Sequence, residues 1–103
     1  MSLFKNLFGG GQTADLKSII DQGAFLVDVR EPGEFAGGTA KGAVNIPLGN
    51  VPAQLDQFKG KENIIVFCRS GNRSGQAKTF LEQDGFKNVI NGGSVDDVKQ
   101  FTK

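Results

Sequence analysis

The sequence predicts a single α/β domain, with a central parallel sheet of four to five short strands and helices on both faces. Short apolar runs alternate along the chain with segments whose apolar residues recur at helical spacing. This alternation is typical of parallel sheets joined by right-handed crossovers. The length of 103 residues suffices for one modest hydrophobic core. In such sheets ligands bind beyond the carboxyl ends of the strands, so the residues that follow the strands are the candidates for a site.

Residues 1–12 are predicted to form an N-terminal arm, and residues 13–103 the domain. The arm carries apolar residues that fall on one side of a short helix: Leu3, Phe4, Leu7 and Phe8. We interpret this segment as a helix that packs on the domain, and an anchor to a membrane or a partner is the alternative. The glycine triplet at residues 9–11 then indicates a flexible break.

The first two elements of the domain are predicted from a cap and from apolar spacing. Thr13 is a suitable N-cap for a helix over residues 14–22, which Gly23 ends. The apolar run at residues 24–27 predicts a strand buried on both faces. That strand leads directly into the charged sequence Asp28-Val29-Arg30-Glu31.

The middle of the chain is predicted to contain a helical turn, a strand and a helix. One helical turn is expected at residues 34–36, and residues 43–46 predict a second strand that a proline closes. Asn50 is a suitable cap for a following helix, in which Leu55 and Phe58 face inward.

The last third of the chain begins with the most hydrophobic predicted strand, residues 64–67. A helix is expected over residues 74–84, followed by a short fourth strand at residues 89–90. Ser94 and Asp97 have the spacing of a capping box and therefore predict the start of a last helix.

Cys68 is the only cysteine of the chain and follows the most hydrophobic strand directly. The next residues, 69–73, read Arg-Ser-Gly-Asn-Arg, and a helix begins after them. Backbone amides and a helix N-terminus stabilise anions at such a place. A thiol held there ionises more readily than a free one, whose pKa is about 8.5. A small buried hydrophobe is the alternative, but the polar loop cannot form an apolar wall, so we expect the sulfur at the mouth of the loop as a nucleophile.

Composition excludes several classes of site. The chain has no histidine, which rules out a cysteine–histidine or serine–histidine couple and any histidine metal site. A single cysteine allows neither an intramolecular disulfide nor a thiolate metal cage, and it suits a reducing, cytoplasmic compartment. A net charge of +1 gives no general attraction to nucleic acid or an acidic membrane. No stretch reaches the ~20 apolar residues of a membrane span.

Two ordered sets of motifs resemble the rhodanese-like domain family. The first set comprises Val27-Asp28-Val29-Arg30-Glu31, Glu34-Phe35 and Gly42-Ala43-Val44-Asn45-Ile46-Pro47. The second comprises Ile65-Val66-Phe67-Cys68-Arg69-Ser70-Gly71-Asn72-Arg73-Ser74, Gly85-Phe86-Lys87-Asn88-Val89 and Asn91-Gly92-Gly93. The resemblance runs from about residue 13 to the C-terminus. It implies a parallel-sheet domain whose cysteine takes sulfane sulfur from a donor such as thiosulfate and passes it to an acceptor from a persulfide.

By matching to the family's motif, Cys68 is the sulfur-carrying catalytic nucleophile. The residues that the resemblance assigns to substrate binding are Arg69, Ser70, Gly71, Asn72, Arg73 and Ser74. Gly71 permits the positive φ that brings loop amides close to the sulfur. Arg69 and Arg73 have the geometry to hold a dianionic donor bidentately. For Arg73, a brace to Glu31 at the neighbouring strand end is the alternative left open.

The charges after the first strand, Asp28, Arg30 and Glu31, invite a reading as catalytic acids or bases. Thiolate attack on a sulfane sulfur needs no general acid. We therefore expect these residues to form structural ion pairs that shape the loop.

The chain departs from the family's pattern at three places. Thr39-Ala40-Lys41 occupies a position where many members have a histidine, and Val98 lies near the place of a common tryptophan. A smaller residue there implies a looser wall or a shifted helix. The family's first strand is barely visible in Gly10-Gly11-Gln12, so the fifth strand is expected to be vestigial.

The predicted function is transfer of sulfane sulfur from a small anionic donor to cyanide or a thiol, including a protein thiol. No cofactor, nucleic acid or membrane partner is implied. A persulfide carrier or binding module serving a protein partner is one alternative. A cysteine phosphatase is the other, but the four residues between Cys68 and Arg73 form a tighter loop than phosphatases use.

Overall fold

The computed structural model describes the chain from Gly10 to Thr102, and most of the predicted N-terminal arm lies outside these residues. The elements in chain order are α1 (Gly10–Asp21), β1 (Phe25–Asp28), α2 (Pro32–Ala36), β2 (Val44–Asn45), a 3₁₀ segment (Leu48–Phe58), β3 (Ile64–Cys68), α3 (Asn72–Gln83), β4 (Val89–Ser94) and α4 (Val95–Lys99). None of the helices in this part of the chain is long and apolar enough to cross a membrane.

The four described strands form one parallel sheet in the order β2-β1-β3-β4. The sheet confirms the predicted fold class. Because β1 and β3 are parallel neighbours, their carboxyl ends lie at the same edge, where Asp28 is opposite Phe67. The pairing of β3 with β4 contains an irregularity: Val66 lies opposite Asn91, whereas Phe67 lies opposite Gly93. β4 therefore bulges close to the end of β3.

Helices cover both faces of the sheet, as predicted. On one face, apolar side chains of β1 and β3 pack with Phe58 of the 3₁₀ segment and with Ala77 and Leu81 of α3. On the other face, Leu16 of α1 and Val98 of α4 pack with the alternate strand residues. Because successive strand residues point to opposite faces, every residue of β3 is buried. Val98, near the position of the family's tryptophan, is fully buried.

The start of the first helix differs from the prediction. α1 begins at Gly10, not at residue 14, so Thr13 lies inside the helix and is not its N-cap. Gly10, Gly11 and Gln12 are helical, and the expected vestigial strand is absent from the described sheet. Each glycine costs a helix about 1 kcal/mol, but extending an existing helix adds a hydrogen bond per residue, and this outweighs the local preference.

The segment after β2 also differs. It is a 3₁₀ segment that begins at Leu48, not an α-helix capped by Asn50, and it is kinked at Gln54 (φ −125, ψ 33). Pro52 lies inside it and lacks the N–H that an α-helix would use. Phe58 is nevertheless buried, as the apolar spacing predicted.

Candidate active site

Cys68 is the last residue of β3, and its sulfur lies beneath the loop that follows. The side chain is 1% exposed and belongs to the cluster that packs under α3. The expectation of a sulfur at the mouth of the loop is therefore wrong. The reason is strand geometry: Cys68 points to the same face as Ile64 and Val66, which lie four and two residues earlier.

The loop aims backbone amides at this sulfur. The N–H of Gly71 donates to Cys68 Sγ at 3.0 Å, and the N–H of Ser74 donates to it at 3.4 Å. Gly71 has φ +94, a left-handed conformation that glycine adopts without steric cost, as predicted. α3 begins at Asn72, two residues earlier than expected, so the amides around the sulfur are the unpaired ones of the helix N-terminus.

The environment lowers the pKa of Cys68 from its usual 9.0 to about 7. Burial acts in the opposite direction and raises the pKa, because the thiolate is desolvated. Hydrogen bonds from the Ser74 hydroxyl and from the amides of Ser74, Ser70 and Gly71 outweigh burial. A substantial fraction of the thiol is therefore ionised at neutral pH, without any histidine.

Arg73 reaches across to α2, the short helix that follows β1. Its Nη1 donates to Glu34 Oε1 at 2.7 Å and its Nη2 to Oε2 at 3.1 Å. The predicted brace exists, but its partner is Glu34 and not Glu31, which instead forms a capping box with Glu34 at the start of α2. The hydrogen bond from Arg73 is the main cause that lowers the pKa of Glu34 from 4.5 to about 2, and the same bond raises the pKa of Arg73.

Three predicted binding residues, Arg69, Ser70 and Asn72, are exposed at the rim of the loop. Arg69 lines a cavity of about 250 Å³ together with Arg30 and Lys99. This cavity also contains Asp96 in its lining and does not include Cys68, so its charge is mixed, whereas the sulfur itself is contacted by amides.

Two of the three charges expected to form structural ion pairs do so: Asp28, the last residue of β1, pairs with Arg30. Asp28 is fully buried and accepts hydrogen bonds from Arg30 Nε and Nη2 at 2.8–3.1 Å. Thr39, in the run where many family members have a histidine, donates its hydroxyl hydrogen to Asp28 at 2.8 Å. Arg30 Nη2 also donates to the carbonyl oxygen of Gly38 at 2.7 Å. The hydrogen bond with Asp28 raises the pKa of Arg30.

Sequence reasoning missed the role of Asn91. Its Oδ1 accepts the hydroxyl hydrogen of Ser74 at 2.7 Å, and Ser74 Oγ lies 3.4 Å from Cys68 Sγ. The sequence signal for this contact is a polar residue, Asn91, in β4, the strand that neighbours the strand of Cys68. Between Gly10 and Thr102 no cluster of acidic or cysteine side chains is suited to a metal ion.

The chain is similar to known proteins in sequence and in fold. A family model described as rhodanese-like domain matches residues 12–98. Thiosulfate sulfurtransferase PspE of Escherichia coli is 35% identical over 74 residues, which are 70% of this chain and 71% of that protein. The putative sulfur carrier protein YrkF of Bacillus subtilis is 37% identical over 71 residues, 69% of this chain but only 38% of that protein. The structure of the human single-domain sulfurtransferase TSTD1 superimposes with a TM-score of 0.66 at 27% identity, covering 82% of this chain and 88% of that one.

Proposed function

The chain belongs to the rhodanese-like domain family, and we propose that it is a sulfurtransferase that works through a persulfide on Cys68. The donor is an anionic sulfane compound such as thiosulfate, and the acceptor is cyanide or a thiol. The observation that carries this proposal is the convergence of the Gly71 and Ser74 amides on one buried sulfur with a lowered pKa.

In the first half of the reaction, the thiol of Cys68 loses its proton to solvent. The thiolate then attacks the outer sulfur of thiosulfate, a new S–S bond forms, and sulfite leaves with the electron pair of the bond that breaks. The product is a persulfide whose negative charge lies on its outer sulfur. Preorganised N–H donors of the kind found in this loop stabilise such a charge, each by about 3 kcal/mol in other enzymes.

In the second half, cyanide or a thiolate attacks the outer sulfur of the persulfide. The S–S bond breaks, its electron pair returns to Cys68 as a thiolate, and thiocyanate or a new persulfide leaves. The amides that stabilise the persulfide also stabilise this thiolate leaving group. No general acid is required, which agrees with the pairing of Asp28 and Arg30 to each other.

We assign the donor's binding to the six loop residues from Arg69 to Ser74. Gly71 and Ser74 contribute amides at the sulfur, and the exposed side chains of Arg69, Ser70 and Asn72 form the rim that an anionic donor meets first. Arg73 contributes positive charge while its guanidinium remains hydrogen-bonded to the Glu34 carboxylate. This engagement gives no support to a phosphatase, which would need that guanidinium to face a phosphoryl group.

A persulfide carrier for a protein partner is the second candidate. It is favoured by the similarity to a relative named as a putative sulfur carrier. Both candidates require the same loaded state of Cys68 and differ in the acceptor that discharges it fastest.

The test is to incubate the purified protein with thiosulfate and to measure its intact mass. We expect the gain of one sulfur atom, its loss on addition of cyanide, and no gain in C68S. Comparing discharge by cyanide, by a small thiol and by a reduced protein thiol then separates the two candidates. An unchanged mass after incubation with thiosulfate and with a polysulfide would refute both.

A further inference from the structure

We propose that Asn91 is a positioning residue for the reactive sulfur: its side chain holds the carbonyl group of Gly71 and competes with Cys68 for the hydroxyl hydrogen of Ser74. The inference rests on the proposed function in one respect, that Cys68 is the reacting group. Asn91 itself does not contact the sulfur.

The hydrogen bonds of Asn91 determine which atom of its amide faces which partner. Nδ2 donates to the carbonyl oxygen of Gly71 at 3.0 Å, and Oδ1 accepts from the N–H of Gly93 at 3.0 Å. An amide nitrogen cannot accept from Gly93, and an oxygen cannot donate to Gly71. Oδ1 is thus the atom next to Ser74, and the 2.7 Å contact between them is donated by the Ser74 hydroxyl.

The hydrogen bond from Asn91 Nδ2 contacts Gly71, the residue whose N–H donates to the sulfur at the shortest distance. The N–H of Gly71 is the shortest donor to Cys68 Sγ, at 3.0 Å. Glycine has more backbone freedom than any other residue, so the direction of this N–H depends on how the chain is held on both sides of the Gly71 Cα. Asn91 holds the carbonyl group of Gly71, which belongs to the next peptide unit and also accepts the N–H of Gly75 at 3.0 Å. α3 also approaches Asn91 closely, since a Cβ on Gly75 would lie 3.4 Å from Nδ2.

The Ser74 hydroxyl has one hydrogen and two neighbours that accept it. While Cys68 is a thiol, the Ser74 hydroxyl donates its hydrogen bond to Asn91 Oδ1, and the S–H group donates to Ser74 Oγ across 3.4 Å. Once the thiol proton is lost to solvent, the hydroxyl turns its hydrogen to the thiolate. Asn91 Oδ1 then keeps the N–H of Gly93, so no buried acceptor is left unpaired. The strength of Oδ1 as an acceptor therefore controls how readily Cys68 ionises.

The β4 bulge keeps Asn91 in this position. Between the pairs Val66–Asn91 and Phe67–Gly93 the strand has one extra residue, Gly92. A Cβ on Gly92 would lie 2.8 Å from Ile65 Cγ2 and from Val98 Cγ2, so the bulge is packed without spare room. Bulges re-aim side chains next to functional sites, and this one aims an amide at the loop of the neighbouring strand.

The test measures the rate of Cys68 alkylation by iodoacetamide against pH. N91D keeps the shape of the side chain but replaces its donor by an acceptor and adds negative charge. We expect its midpoint to rise by about one pH unit, which is about tenfold slower alkylation well below the midpoint. The matched control is N88A: Asn88 donates to the carbonyl of Glu62 at 3.1 Å, just before the same strand but away from the sulfur. N88A is expected to keep the midpoint of the unaltered protein.

A double-mutant cycle with S74A tests the route of the effect. If Asn91 acts on the sulfur through the Ser74 hydroxyl, N91D shifts the midpoint less in the S74A background than in the unaltered protein. An equal shift in both backgrounds, or no shift in N91D, would overturn the inference. Sulfur loading is measured in parallel: a protein that never gains sulfur refutes the proposed function but leaves the alkylation result to judge Asn91.

A second measurement needs no variant. In the unaltered protein, the side-chain amide signals of Asn91 in a ¹⁵N NMR spectrum should move with the midpoint of Cys68 alkylation, because Oδ1 loses the hydroxyl hydrogen there. The side-chain amide of Asn88 should stay in place over the same pH range. Constant Asn91 signals through the midpoint would also overturn the inference.

Discussion

Two loops at the same edge of the sheet treat charge in opposite ways. After β1, the carboxylate of Asp28 is matched by the guanidinium of Arg30 and by the hydroxyl of Thr39. After β3, the sulfur of Cys68 has the amides of Gly71 and Ser74 as donors, and no charged side chain between Gly10 and Thr102 is in hydrogen-bond contact with it. A charge that is already paired stabilises structure, whereas an anion held by dipoles alone remains available to react.

Among the described residues, one ion pair links the helices that follow the two loops, Arg73 of α3 with Glu34 of α2. The pair occupies guanidinium hydrogen bonds that Arg73 could otherwise offer to a substrate. Each side chain is 32% exposed, so the pair is partly screened by water. The site therefore depends on main-chain amides more than the arginine-rich sequence of the loop suggests.

The largest effect is expected from C68S. Sulfur loading and discharge should be lost completely, because an alcohol does not supply the nucleophile. The urea unfolding midpoint should change little, since the side chains are of similar size. Residual gain of sulfur by C68S in an intact-mass measurement would mean that Cys68 does not carry it.

D28N tests whether the first loop is purely structural. The variant leaves the partly buried guanidinium of Arg30 without its buried counter-charge, and we expect a loss of about 3 kcal/mol in the free energy of unfolding. The pH midpoint of Cys68 alkylation should not move. A shifted pH midpoint of Cys68 alkylation in folded D28N would show electrostatic coupling between the two loops.

G71A and G85A form a matched pair that tests the role of the loop amides that donate to Cys68 Sγ. Both glycines have a left-handed φ, +94 and +96, and no substituted Cβ would come closer than 3.5 Å to its surroundings. Each variant should lose about 1 kcal/mol of unfolding free energy through backbone strain. Only G71A should raise the pKa of Cys68 and slow its loading, because the N–H that points at the sulfur moves. Equal rates of sulfur loading in the two variants would contradict a role of the Gly71 amide in activating Cys68.

The smallest effect is expected from E34Q, and it depends on pH. The pKa of Glu34 is lowered in the folded protein from 4.5 to about 2, so its stabilisation is complete above about pH 4.5 and is lost as the pH falls toward 2. The advantage of the unaltered protein over E34Q in urea unfolding should therefore shrink over this range. An advantage that is constant with pH would exclude the ion pair as its source.

Local sequence signals predicted much of the fold but not its irregular parts. The apolar runs predicted β1 and β3 to within a residue, because these strands are buried on both faces and their composition shows it. The start of α1, the 3₁₀ form of residues 48–58 and the length of β4 were wrong or incomplete. These depend on helix extension, on a proline within a turn and on pairing with a neighbouring strand, which short windows of sequence do not contain.

The sequence by itself determined that this chain has one cysteine, no histidine and a polar loop after a buried strand, and hence that backbone amides and arginine are the groups left to activate the thiol. Only the tertiary structure decided that the sulfur is buried, that Arg73 pairs with Glu34, and that Asn91 stands behind Ser74. The physical reason is distance along the chain: Arg73 and Glu34 are 39 residues apart, and Ser74 and Asn91 are 17 apart. Such contacts exist only once parallel strands have brought their ends to one edge.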